Sequence, residues 1–324
     1  MRTPWRALAH AGLVVLFAGC SVISVDLSPR IRPLEEETVE GRGDAKIVLV
    51  ELSGLLTDEA VSPTLTLGTP PPRVPLLVRF REELKKAEED RKVRALLVRI
   101  NSPGGTVTAS DILYRELTLF RQRTRIPVVA VLMDVAASGG YYVALAADTI
   151  VAHPTTVTGS IGTIMLSLNA QQLMDKLGVA AVTIKSGEHK DMGSPFRRLT
   201  DEERAIFQSV IDALHAQFVD RLVERRRLPR ETASRLADGR IYTAQQALAH
   251  GLVDAVGYLP DALAVARRAA GVDEARVVIY KRPRQYRATY YARAETSASA
   301  LEAALAPLAG LGATGPRFLY LWWP

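Results

Sequence analysis

The chain has 324 residues, 48% of them hydrophobic and 23% charged, ordinary proportions that exclude a disordered polymer, a collagen-like repeat or a coiled-coil rod. Its single cysteine, Cys20, excludes a disulfide framework within the chain and any metal site that needs two or more thiolates. The formal charge of +6 is unevenly placed: Arg2 and Arg6 lie at the start and seven basic against two acidic residues follow from Arg276, so residues 20–275 stand near −1 and no nucleic-acid surface is expected.

In chain order, Arg2 and Arg6 followed by a mostly apolar run from Ala7 to Ala18 read as a secretory leader, residues 1–19. That run is too short for a helix to cross a bilayer core, which takes about twenty residues, so it is a targeting signal and not a permanent span. Its end, Leu16-Phe17-Ala18-Gly19-Cys20, resembles the lipobox of bacterial lipoproteins, with Phe17 where Leu is usual. The resemblance implies an acylated Cys20 and a lipid membrane as partner; an ordinary leader with an incidental cysteine is the plainer alternative. Residues 20–44, with two prolines and the run Glu35-Glu36-Glu37, read as a tether.

Lys46 to Leu52 is a short apolar, β-branched run and reads as a first buried strand. After a Pro-rich loop (Ser62 to Pro75), helices and strands alternate: helix Leu77 to Asp90, strand Ala95 to Ile100, helix Ser110 to Arg123, strand Pro127 to Leu132, and a helix opening near Gly139. Strand Thr149 to Ala152, a short helix from Ala170 to Lys176 and strand Ala180 to Ile184 continue the rhythm. Such alternation predicts an α/β fold with a parallel sheet and crossover helices. Thr200, with Glu203 three residues on, opens a long helix to Arg227 as a capping box. From about Ala288 the rhythm is lost, so residues 288–324 read as a basic, Ala- and Pro-containing tail ending Phe318-Leu-Tyr-Leu-Trp-Trp323. That end either docks on its own domain or a neighbouring subunit, or meets a membrane interface, where Trp and Tyr are favoured.

No H-E-x-x-H, S-x-x-K or G-x-S-x-G pattern occurs, which argues against zinc hydrolysis, penicillin-type acyl transfer and the α/β-hydrolase layout. Two glycine-rich loops follow strands. Asn101-Ser102-Pro103-Gly104-Gly105 offers a backbone turn with free N–H groups, as an oxyanion hole requires. In Ala136-Ala137-Ser138-Gly139-Gly140-Tyr141-Tyr142, Ser138 sits at a helix start, either as a simple N-cap or as a nucleophile beside the positive end of the dipole. A serine nucleophile needs a base. His153, His189, His215 and His250 are available by type, His215 being placed on a long helix as a structural residue. The loop Ile184 to Arg197 adds Lys185 and Lys190. A lysine accepts a proton near neutral pH only if its pKa of about 10.4 falls by roughly three units, about 4 kcal/mol of desolvation.

At this point five segments carry a resemblance. Asn101 to Gly105, Ala137-Ser138-Gly139-Gly140-Tyr141-Tyr142, Thr158-Gly159-Ser160-Ile161-Gly162, Ser186 to Arg197, and Ala237 to Tyr242 with Gly251-Leu252-Val253-Asp254 are, in order and spacing, similar to the signal peptide peptidase A (protease IV) family. The resemblance implies a ClpP/crotonase-like repeated β-β-α superhelix over residues 45–287 and a serine endopeptidase with a Ser/Lys dyad. Ser138 resembles the nucleophile and Lys190 the general base, with Lys185 as the other candidate. Gly139 with Gly105 or Gly104 would form the oxyanion hole, and Ser160 would orient the lysine. No metal or cofactor is implied. A single copy of each motif resembles the half-length members, which form rings in which neighbouring subunits complete the site. The expectation is a membrane-anchored lipoprotein on the periplasmic or extracytoplasmic side, acting on peptides in or near the membrane such as cleaved signal peptides. The rival readings are a non-catalytic scaffold of the same fold and acyl-CoA chemistry, which the same fold also supports.

Overall fold

The apolar β-branched runs pair side by side as strands. The computed structural model describes residues 33–58, 74–283, 289–291 and 317–322. In chain order these form β1 (Glu35–Glu40), β2 (Lys46–Ser53), α1 (Leu76–Glu89), β3 (Val93–Ser102), β4 (Gly104–Thr106), α2 (Val107–Thr124), β5 (Val128–Ala137) and α3 (Gly139–Ala144). Then come β6 (Thr149–Ala152), β7 (Val157–Gly159), β8 (Ile164–Leu166), α4 (Gln171–Leu177), a 3₁₀ turn (Glu188–Asp191), α5 (Asp201–Arg226) and α6 (Arg230–Leu236). The remainder is β9 (Ile241–Thr243), α7 (Ala244–Ala249), β10 (Ala255–Val256), α8 (Leu259–Ala270), β11 (Arg276–Lys281) and β12 (Arg317–Leu321).

Among the described residues the larger sheet has the order β1-β11-β2-β3-β5-β6-β10, and β7 pairs with the far end of β5 and with β9. From β11 to β10 every neighbour is parallel; β1 and β9 join antiparallel. Side chains alternate across the sheet. Val48, Val50 and Leu52 of β2 therefore join Phe80 and Leu84 of α1 and Leu113, Leu117 and Phe120 of α2 on one face. Ile47 and Leu49 meet Leu259, Leu263 and Ala266 of α8 on the other. With both faces covered the strands must be apolar throughout, which is the pattern the sequence carries. A smaller antiparallel sheet, β4-β12-β8, stands beside it. In β3, β4, α2 a strand of the large sheet is followed by one of the small sheet and then a helix; β6, β7, β8, α4 follow the same order with one more large-sheet strand, β7, before the small-sheet strand.

Two expectations are corrected, and one alternative is decided. The acidic stretch read as tether contains β1, an edge strand on β11. Two of its glutamates are paired: Glu36 accepts from Lys46 at 2.8 Å and Glu37 pairs with Lys281. Ala180 to Ile184 forms no strand; Val182 and Ile184 are 85% and 97% exposed, and among the described residues no strand supplies a ladder there. The tail's end follows the first of its alternatives and docks on its own domain, where β12 closes the small sheet. Cys20 and the leader lie outside the described residues, as does Trp323.

Candidate active site

Ser138 stands where β5 turns into α3. Its backbone is at φ +51°, ψ −116°, a region that costs a non-glycine residue about 1–3 kcal/mol unless the surroundings impose it. Here they do: the Ser138 N–H donates to Gly159 O at 2.7 Å, and the Tyr142 N–H donates to Ser138 O at 2.8 Å. The residue is 1% exposed, and its Oγ has no hydrogen-bond partner among the described residues. A simple N-cap serine would accept a backbone N–H, and Ser138 caps nothing.

The two glycine loops pack on each other beside this serine. A Cβ on Gly139 would stand 2.3 Å from Ser110 Oγ, and one on Gly104 would stand 2.8 Å from the Gly139 nitrogen. The Gly104 N–H is engaged by Ser102 Oγ at 3.0 Å. Leu56 N–H donates to Gly104 O and Thr106 N–H to Leu56 O, so the polar groups of Gly105 face the opposite way, toward β12. Trp322 N–H donates to Pro103 O at 2.8 Å. Bonded pairs alternate in an antiparallel ladder, so Gly105 with Tyr320 is the next bonded pair in this register. The Tyr320 carbonyl oxygen thus lies against Gly105, Gly104 and Gly139 together, 1.9 Å from a Cβ built on Gly104 and 3.0 Å from one on Gly139.

The Tyr320 side chain fills an aromatic pocket. Its ring is 5.2 Å from that of Tyr142 and 4.9 Å from that of Phe218, and its hydroxyl donates to Leu214 O at 2.7 Å. Tyr142 is held in turn by its hydroxyl on Asp111 at 2.8 Å. Burial first, and the Asp111 carboxylate second, push the Tyr142 phenol well above its ordinary pKa.

Ser160 follows β7, and the pairing of Ala137 with Gly159 brings it beside Ser138. It also has positive φ, +47°, and its N–H donates to Arg240 O at 2.7 Å. With Thr163, Asp212, His215, Leu321 and Trp322 it lines an open cavity of about 550 Å³. The motifs farther along prove to be supports: Arg240 holds Ser160, and Leu252 O accepts the Tyr141 hydroxyl at 2.7 Å.

Lys190 is not brought to this cluster. It lies exposed on the 3₁₀ turn, and Ser138 Oγ bonds neither it nor any other group among the described residues. Lys185 is already bonded, to Asp191 Oδ1 at 2.7 Å and Glu188 O at 2.6 Å. Sequence reading missed Ser102, Ser110, the Tyr142–Phe218 pocket and Arg197; none carries a signal of its own, since each acts through contacts distant in sequence.

Comparison with known proteins gives one matching family model. Residues 121–273 match the model of Peptidase family S49. A protein of Enterococcus faecium named for signal peptide peptidase SppA is 36% identical over 76% of this chain and 70% of its own length. A Synechocystis protein named as a protease is 44% identical over 59% of this chain and 69% of its own, and the chloroplastic serine protease SPPA of Arabidopsis thaliana is 38% identical over 59% of this chain and 28% of its own. Among solved structures, a ClpP1 variant from Listeria monocytogenes aligns with TM-score 0.42 and 17% identity over 66% of this chain and 94% of that one.

Proposed function

The chain belongs to peptidase family S49, and from that premise we propose that it is a serine endopeptidase with Ser138 as nucleophile and Lys190 as general base. The observation that carries the reading is β12: an extended segment seated antiparallel on β4, its Tyr320 carbonyl against Gly105 and Gly139. A substrate strand laid in the same way would present its scissile carbonyl beside Ser138.

Ser138 Oγ attacks that carbon and gives its proton to the Lys190 amine. The N–H groups of Gly139 and Gly105 hold the oxyanion, and Ser160 orients the lysine. Collapse breaks the C–N bond, the leaving amine takes the proton from Lys190, and water then hydrolyses the acyl-enzyme. Lys190 is supplied by a neighbouring copy in a homo-oligomeric ring; an exposed Lys190 and an unpartnered Ser138 Oγ in one chain support this. The substrates are peptides in or near the membrane, including cleaved signal peptides, met from the periplasmic or extracytoplasmic side by a protein anchored through acylated Cys20. A non-catalytic scaffold would have no use for a strained, buried serine hydroxyl.

Mixing tests the reading. Ser138→Ala and Lys190→Ala proteins are each expected to be inactive on peptides and folded, and a mixture is expected to recover part of the activity through sites with one intact serine and one intact lysine. Substantial cleavage by either variant alone sinks the dyad; two dead variants that never complement sink only the sharing between copies.

A further inference from the structure

Lys190 stands on a single 3₁₀ turn within a run of exposed residues, so the turn needs an outside hold. Arg197 supplies it. Its Nε and one terminal nitrogen donate to the two carboxylate oxygens of Asp191 at 2.9 and 2.8 Å. Both terminal nitrogens also reach the Glu203 carboxylate, one of them at 2.8 Å. The guanidinium further donates to the main-chain oxygen of Asp191 at 3.2 Å. Glu203 is fixed in the capping box of α5, where its side chain accepts the Thr200 N–H at 3.0 Å and its own N–H donates to Thr200 Oγ1 at 3.1 Å. One planar, five-donor group therefore ties the residue next to Lys190 to the start of the longest helix. A lysine could supply the charge and not the two forks.

The clamp has an electrostatic side. The charged groups around the turn are Lys185, Glu188, His189 and Asp191 from the loop, Arg197 and Arg198 from its return, and Glu202 and Glu203 from α5. Asp191 is shared between Arg197 and Lys185, and Glu202 lies 3.6 Å from the His189 ring. A carboxylate paired with Lys190 would hold the proton on the amine and oppose its role as base.

We propose that Arg197 is the positioning residue for Lys190: it fixes the turn that carries the base and keeps Asp191 from capturing the base's charge. This rests on Lys190 being the base. The test is the pH dependence of kcat/KM for peptide cleavage by the full chain, with Arg197→Ala, Arg197→Lys and the double variant Arg197→Ala, Asp191→Asn beside the wild type, each also melted thermally. Without Arg197 the Asp191 carboxylate keeps Lys185 on Oδ1 but its Oδ2 is released to pair with Lys190, so in Arg197→Ala the acidic limb moves up by about one pH unit or more. Arg197→Lys groups with Arg197→Ala and not with the wild type. The double variant returns the limb toward the wild-type position without restoring its height. If Arg197→Ala does not survive the assay temperature, the Arg197→Lys limb decides. A lower melting temperature with an unmoved limb overturns the proposal, since a merely structural role would do that. Activity retained by Lys190→Ala overturns the base assignment instead, so the two failures are distinguishable.

Discussion

Ser138 combines a buried hydroxyl without a partner and a backbone torsion that L residues avoid. Both are costs that the two bonds around it, to Gly159 and from Tyr142, sustain. Glycine accepts φ +51° freely. Ser138→Gly is therefore expected to unfold at higher denaturant than Ser138→Ala, by about 1 kcal/mol, both being inactive; equal midpoints would mean that the torsion stores no strain. Gly105 has the opposite demand. A Cβ there would lie 1.9 Å from the Leu56 carbonyl oxygen, a backbone atom that cannot swing away. Gly105→Ala is expected to lower both the melting temperature and kcat, with kcat falling about 10²-fold or more if one oxyanion donor is displaced. A drop confined to KM would place the Gly105 N–H in substrate binding alone.

Among the elements, β12 and the start of α5 make separable predictions. β12 holds the groove beside Ser138, with Tyr320 in the pocket of Tyr142 and Phe218. A chain ending at Pro316 should cleave peptides with lower KM, and a synthetic peptide of residues 317–322 added back should compete; an unchanged KM would mean that substrate uses another path. At the start of α5, the Arg197 guanidinium and then the Thr200 N–H hold the Glu203 carboxyl down to about 2 from its ordinary 4.5. A carboxyl depressed on folding stabilises above its unfolded pKa and loses that contribution as pH falls through the folded one. The stability advantage of wild type over Glu203→Gln should thus be full at pH 6 and shrink between about 4.5 and 2, which denaturant titration at stepped pH measures. A constant difference across that window would count against the ion pair.

For the whole molecule, the loop that carries Lys190 presents an apolar surface. Leu173, Leu177, Val182, Ile184 and Phe196 are each at least half exposed, and α4 buries none of its residues. If Lys190 is shared between copies as proposed, these exposed apolar side chains are the surface that meets the neighbour. Leu173→Asp with Ile184→Asp should give a smaller species by sedimentation velocity and inactive protein. Retained activity in a sedimenting monomer would remove the shared site.

The α/β class, the central strands and the long capped helix were legible along the chain, because two-faced burial writes near-continuous apolar runs and a capping box is local. Ser138, Gly139, Gly105 and Ser160 were found as motifs, and the fold gathers all four, Gly105 on β4 and the others just past the ends of β5 and β7. What sequence could not give was partnership across distance. β1 looked like a tether because its ladder partner, β11, lies more than two hundred residues later. Val182 and Ile184 looked like a strand because β propensity is local while a ladder is not. The docking of Tyr320, the clamp of Arg197 and the separation of Lys190 from Ser138 are facts of packing: they depend on which surfaces meet, and the residues themselves carry no period or spacing that announces it.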